Sequence, residues 1–181
     1  MRSDAVTPTG VERTFGADDL IVSKTNLKGI ITYANATFAH VARYSEDQLL
    51  GQPHSIVRHP DMPRAVFRLL WDVIGTGGEV FAYVKNLAAD GAHYWVLAHV
   101  TPSYGPDGSI TGYHSSRRCP DRSAIATIEP VYAMLRTTEQ RQGTPTAAID
   151  ASIALLTTML AERKQTYEEF LWSIATAAVA R

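Results

Sequence analysis

The chain has 181 residues, 45% of them hydrophobic and 19% charged, with a formal net charge of -1. That length buries the core of one domain with appendages, and the balanced charge excludes a nucleic-acid footprint or a basic membrane-surface patch. A single cysteine, Cys119, excludes an internal disulfide and fits a reducing, cytoplasmic setting. The N-terminal residues have no apolar core, so a signal peptide is not expected. The apolar run Ala151–Ala161 is interrupted by Ser152, Thr157 and Thr158 and is too short to span a bilayer. No direct membrane insertion is therefore expected.

In chain order, residues 1–18 are rich in Thr, Asp, Gly and Pro and are expected to form a mobile tail. LIVSKTNLKGIITYAN gives two short apolar runs around Asn26-Leu27-Lys28-Gly29, a hairpin signal. From Asn35 the period turns helical, with Phe38, Val41 and Ala42 on one face, and Ser45 to Gln48 fits a capping box. Pro63 suits the start of a helix carrying Val66, Phe67, Leu70, Val73 and Ile74, which Gly75–Gly78 end. Asp61 stands where a side chain can cap that helix. Three strand-like runs follow, separated by Asp90-Gly91 and Pro106-Asp107-Gly108. The expected fold is α+β, a five-stranded antiparallel sheet with short helices over one face. The expected division is a tail at 1–18, an α+β domain at 19–120 and a helical extension at 121–181.

In that extension, Ile125, Ile128, Tyr132 and Leu135 share a stripe, with Pro130 expected to kink the helix. Ile149, Ile153, Leu156 and Leu160 step at helical spacing, and Thr166 with Glu169 starts a last helix carrying Phe170, Leu171 and Ile174. Alternation along the strands places Val80, Ala82, Val84 and Asn86 opposite Phe81, Tyr83 and Lys85. It likewise places Trp95, Leu97 and His99 opposite Tyr94, Val96, Ala98 and Val100. Both faces are apolar, so each needs a cover. For the Phe81/Tyr83 face the candidates are the N-terminal tail, the C-terminal helices or a second subunit.

ITYANATF, GQPHSIVRHPDMP, a helix ending in Trp71, YVKNLAADGAHYWV and ITGYHSSRR resemble the FAD-binding PAS domains of bacterial aerotaxis (energy-taxis) receptors of the Aer type. The resemblance covers about residues 20–136 and is closer still to stand-alone PAS sensors of the CetB type. It implies a PAS fold, FAD as cofactor, no enzymatic activity, and a sensor of redox state or oxygen working beside a membrane-bound chemoreceptor-type signalling protein. It also implies a homodimer, through the outer sheet face or the tail helices. The cofactor-binding positions it implies are Asn35, Arg58, His59, Asp61, Phe67, Trp71, Asn86, Tyr94 and Trp95. The family's Pro-Trp pair before the VKN strand is replaced here by Glu79-Val80.

These residue types suit a flavin. An amide such as Asn86 both donates and accepts, matching the mixed edge of an isoalloxazine. Trp71 offers a ring face, and Arg58 and His59 offer partners for pyrophosphate. His54 and His59 leave haem open as an alternative, and a ligand-free interaction module is the other. Metal-ligand spacings, a GxSxG elbow and a phosphate-cradling glycine loop are absent from the sequence.

Overall fold

A computed structural model describes residues 6–179. Residues 1–5 of the expected tail and residues 180–181 lie outside the described residues. Strand β1 (Ile21–Asn26) turns into β2 (Ile31–Ala34) through a loop closed by the Asn26 side chain, which accepts from the Lys28 and Ile30 amides. Gly29 has φ +74°, and an added Cβ would lie 3.1 Å from the Trp71 indole, so the turn needs both its handedness and its small size. Helix α1 (Ala36–Ala42) starts on the Asn35 cap, and α2 (Glu46–Leu49) starts on the expected capping box between Ser45 and Gln48. A short 3-10 turn, His54–Val57, leads to α3 (Arg64–Gly75).

Strands β3 (Val80–Leu87), β4 (His93–Tyr104) and β5 (Ile110–Arg118) follow as two hairpins at the expected turns. The sheet order is β2-β1-β5-β4-β3, antiparallel throughout, so β5 inserts beside β1 and closes the sheet. The expected five-stranded antiparallel α+β fold is what forms. Ile21, Phe38, Leu49, Tyr94 and Val96 are among the buried core residues.

The tail helices are α4 (Arg122–Gln140), α5 (Pro145–Glu162) and α6 (Tyr167–Val179). Asp121 caps α4, and the helix continues through Pro130, with Ile125, Ile128, Tyr132 and Leu135 buried as expected. On α5 Leu156 is buried as expected, but Ala148 and Ser152 are buried beside it in place of Ile149 and Ile153, which like Leu160 are partly exposed. Small residues at 148 and 152 let the helix sit closely on α4 and α3. Thr166 and Glu169 form the reciprocal bonds expected at the start of α6.

These helices cover the β3–β4 part of the outer sheet face. The Tyr132 hydroxyl donates to the Tyr83 carbonyl at 2.7 Å, and Trp172 packs on Phe81 with ring centroids 5.0 Å apart. The apolar face left open by the alternation is thus covered in cis around Phe81 and Tyr83, where a second subunit was one of the expected covers. The segment after residue 6 also departs from the expected mobile tail. It runs along the β3–β4 turn, where Thr9 donates to the Gly91 carbonyl and Arg13 to the His93 carbonyl, and Arg13 pairs with Asp90. Glu12 pairs with Arg122 at the start of α4. Among the described residues no helix is long and apolar enough to cross a membrane.

Candidate functional site

A cavity of about 270 Å³ lies between α3 and the inner face of the sheet. The sheet supplies Val84 and Asn86 from β3, Val96, Ala98 and Val100 from β4, Tyr113, Ser115 and Arg117 from β5, and Ser23 and Thr25 from β1. Opposite them stand Phe67, Leu70, Trp71 and Ile74, one face of α3 at helical spacing. Pro53, His54, Ser55 and Arg58 close one side, and Lys28 and Gly29 lie at the rim. The lining is mostly apolar with a few convergent polar groups, the composition of a small-molecule site.

One polar group is Asn86, 4% exposed, which takes part in none of the side-chain hydrogen bonds found among the described residues. Its amide is available to an occupant. Another is Arg58, whose guanidinium lies 4.0 Å from the centroid of the Phe67 ring. Burial, and then the neighbouring Arg64, lower its pKa from the ordinary arginine value. Trp71, 40% exposed, stands edge-on to Tyr113 with centroids 5.4 Å apart.

The third group is a cluster on the β1–β5 side. Arg117 is 2% exposed, donates to the Ser23 hydroxyl and to His54 Nε2 at 3.3 Å, and lies over the Phe38 ring. Ser23 and His54 are themselves 3.0 Å apart. Because arginine only donates, His54 Nε2 must accept, which makes the imidazole neutral with its proton on Nδ1. Burial, followed by the adjacent guanidinium, drives the His54 pKa down to about 3. Arg117 has no carboxylate partner among the described residues, and its Nε has no hydrogen-bond partner. A buried charge without a counter-ion is costly, so this wall suits an occupant bearing acceptor atoms or negative charge.

Four of the nine positions expected to bind cofactor line the cavity: Arg58, Phe67, Trp71 and Asn86. The other five are elsewhere. Asn35 caps α1 through the Phe38 amide, accepts from the Val22 amide and donates to the Leu20 carbonyl, tying α1 to β1. His59 is buried beside His93, its Nδ1 accepting from the Asp61 amide, and burial lowers its pKa to about 4. Asp61 pairs with Lys85 at 3.2 Å and does not cap α3, which has no cap from its own flanks. Tyr94 is fully buried on the cavity side of β4 but does not line the cavity. Trp95 lies on the other face, stacked on Tyr132 of α4. It pairs with Lys85 in the β3–β4 register, so it cannot share a face with Asn86.

The RHPDMP turn also packs along the edge of β3. Arg58 forms a backbone bridge with Asn86, and the Lys85 amide donates to Met62 Sδ at 3.3 Å. The turn seals the free edge of β3 and sends one side chain, Arg58, into the cavity. Ser23 and Arg117 were not singled out from the sequence, and His54 was singled out only as a candidate haem ligand. The signal for them is the alternation Tyr113, Ser115, Arg117 in GYHSSRR, which becomes useful only once β5 is known to pair with β1.

A match to the family described as PAS fold covers residues 16–115. The aerotaxis receptor of Escherichia coli (strain K12) is 42% identical over 118 residues, which is 65% of this chain and 23% of the receptor. The nitrogen fixation regulatory protein of Klebsiella pneumoniae is 31% identical over 108 residues, 60% of this chain and 21% of that protein. This chain thus spans less than a quarter of the length of either relative. A solved light-oxygen-voltage domain studied with a flavin analogue shares the fold, with a TM-score of 0.53 and 15% identity over 68% of this chain and 87% of the other. Sheet order, the cavity under α3 and the family match over most of the sheet agree: the chain belongs to the PAS fold family.

Proposed function

We propose that the protein is a cytoplasmic, FAD-binding sensor of redox state or oxygen, not an enzyme, whose output passes to a membrane-bound chemoreceptor-type signalling protein. The observation that carries the reading is Arg117, a fully buried cation on the cavity wall with an unpartnered Nε and no counter-ion among the described residues. With the free amide of Asn86 it offers donors and an acceptor between apolar walls, which fits the mixed polar edge and flat body of an isoalloxazine. FAD, when bound, supplies reversible electron uptake. Asn86 and Arg117 would orient its polar edge, Val84, Val96, Ala98 and Val100 would pack its body, and Arg58 would face its phosphates. Trp71 partly screens the mouth from water. The name of the Escherichia coli relative, an aerotaxis receptor, supports the taxis output.

Haem is less well served. His54 Nε2 is occupied by Ser23 and Arg117, and His59 does not line the cavity. A homodimer through the tail helices belongs to the same reading, and light scattering that gives a monomer at high concentration would remove it.

The deciding experiment is an absorption spectrum of the purified protein before and after dithionite. Flavin bands that bleach on reduction are expected, and Asn86→Asp should lower flavin content because a carboxylate accepts but cannot donate. A colourless protein that cannot be reconstituted with FAD would refute the reading in favour of a ligand-free module, and a Soret band would refute it in favour of haem.

A further inference from the structure

Helix α3 forms one wall of the cavity, yet its N-terminus has no side-chain cap from its own flanking residues. The amide of Ala65, in its first turn, donates instead to Glu139 Oε1 at 3.2 Å, a carboxylate 74 residues away in the last turn of α4. Glu139 is 4% exposed, and its other oxygen accepts from Arg136 at 3.1 Å. An acidic side chain is unfavourable at the C-terminal end of its own helix and favourable at the N-terminal end of another. The position of Glu139 is thus explained by α3, not by α4.

The same carboxylate lies in the charge environment of Arg58, where it counters the effect of Arg64 and Arg136 on that guanidinium. Arg58 lines the cavity and stacks on Phe67 of α3. Glu139 is also the last such tie before the 141–144 connection to α5, a helix that packs on both α3 and α4.

We propose that Glu139 is the positioning residue through which the occupancy of the cavity reaches the tail helices. An occupant that moves Arg58 or Phe67 displaces the first turn of α3. Glu139 Oε1 is buried and would lose its donor while Oε2 stays with Arg136, so Glu139 and the end of α4 move with the turn. The identity of the occupant rests on the FAD reading above; the tie between α3 and α4 does not.

The test uses the full chain, FAD as the probe and hydrogen exchange as the readout, with Glu139→Ala and Glu139→Gln. In the unmodified protein FAD should slow exchange both in the first turn of α3 and across the α4–α5 junction. Glu139→Ala should still bind FAD, by its absorption bands, but lose the response at the junction. Glu139→Gln keeps an oxygen for the Ala65 amide and should restore it. A junction response in FAD-saturated Glu139→Ala equal to that of the unmodified protein would overturn the proposal. If the unmodified protein binds no FAD, the functional reading fails and the tie is measured without ligand. The Ala65 amide should then exchange about tenfold faster in Glu139→Ala, the size of a lost helix cap, than in either other form. Equal rates would overturn the proposal.

Discussion

Replacing Arg117 with methionine separates a pillar of the core from a ligand-binding group, because the two roles predict different changes in stability and in binding. Arg117 is buried with no counter-ion among the described residues, and burial lowers its pKa from the ordinary arginine value to about 10. At about 1.4 kcal/mol for each factor of ten, keeping the charge there costs on the order of 3 kcal/mol. Against this stand the bonds to Ser23 and His54 and the contact with the Phe38 ring, about 1 kcal/mol each. Ser23 and His54 remain bonded to each other once the guanidinium is gone. Methionine keeps the volume without the charge, so the two sides nearly cancel and the ligand-free protein should stay within about 1 kcal/mol, or roughly 2–4 °C in melting temperature. FAD affinity should fall about 10–100-fold, the loss expected for a charged hydrogen bond. Urea unfolding of the ligand-free protein and a fluorescence titration with FAD read the two quantities separately. A variant less stable by about 2 kcal/mol that binds FAD unchanged would refute the argument and make Arg117 a structural residue.

Stability should depend on pH through His54. Its folded pKa, about 3, lies below the ordinary 6.5, so below that value the unfolded chain takes a proton that the folded chain refuses. Stability is therefore full above about pH 6.5 and falls as pH drops toward 3, by on the order of 2–3 kcal/mol for His54 alone between pH 6.5 and 4.5. His59 acts in the same direction. Urea midpoints at pH 7.5 and 5.0 should differ, and the difference should shrink in His54→Gln, with His59 supplying the remainder; identical midpoints in the unmodified protein would contradict the burial argument. Gly91→Ala tests the N-terminal strap: φ is +83° and an added Cβ would lie 2.4 Å from the Thr7 carbonyl oxygen. The variant should lose about 1–2 kcal/mol and become more sensitive to proteolysis near residues 7–13, whereas an unchanged digestion pattern would mean that the strap is held elsewhere.

The elements were legible in the sequence where local chemistry decides them. The Ser45–Gln48 box, the Thr166–Glu169 pair and the Asp90-Gly91 turn satisfy backbone groups within a few residues, and each forms as expected. The site was legible only in part because it is assembled from distant strands. Arg117 meets Ser23 across 94 residues of chain, through a β1–β5 pairing that no local pattern announces. Trp95 is a different case. Strand alternation already placed it opposite Val96 and Ala98, and it was expected at the cofactor only because of the family resemblance. The register Lys85↔Trp95 upholds the alternation. The capping of α3 was misjudged for a related reason: Asp61, adjacent in sequence, was the natural candidate, but Lys85 takes that carboxylate and Glu139 from α4 satisfies the helix.

Two routes join the cavity to the tail, and their stiffness differs. One crosses the sheet: Asn86 faces the cavity, while Tyr83 and Lys85 on the same strand face α4, with the Tyr83 carbonyl held by Tyr132. This route passes through a strand bonded along its whole length to β4, so a small shift at Asn86 is resisted by the ladder. The other runs around the edge. On its free side β3 meets the Arg58–Met62 turn through one backbone bridge, one amide-to-sulfur contact and the partly exposed Asp61–Lys85 ion pair. A thioether is a weak acceptor, and a single bridge does not make a ladder. The edge route is therefore the softer one, and it leads through Arg58 and α3 to Glu139. A change at the cavity wall should appear first at the end of α4 and only later, if at all, at Tyr132 in its middle.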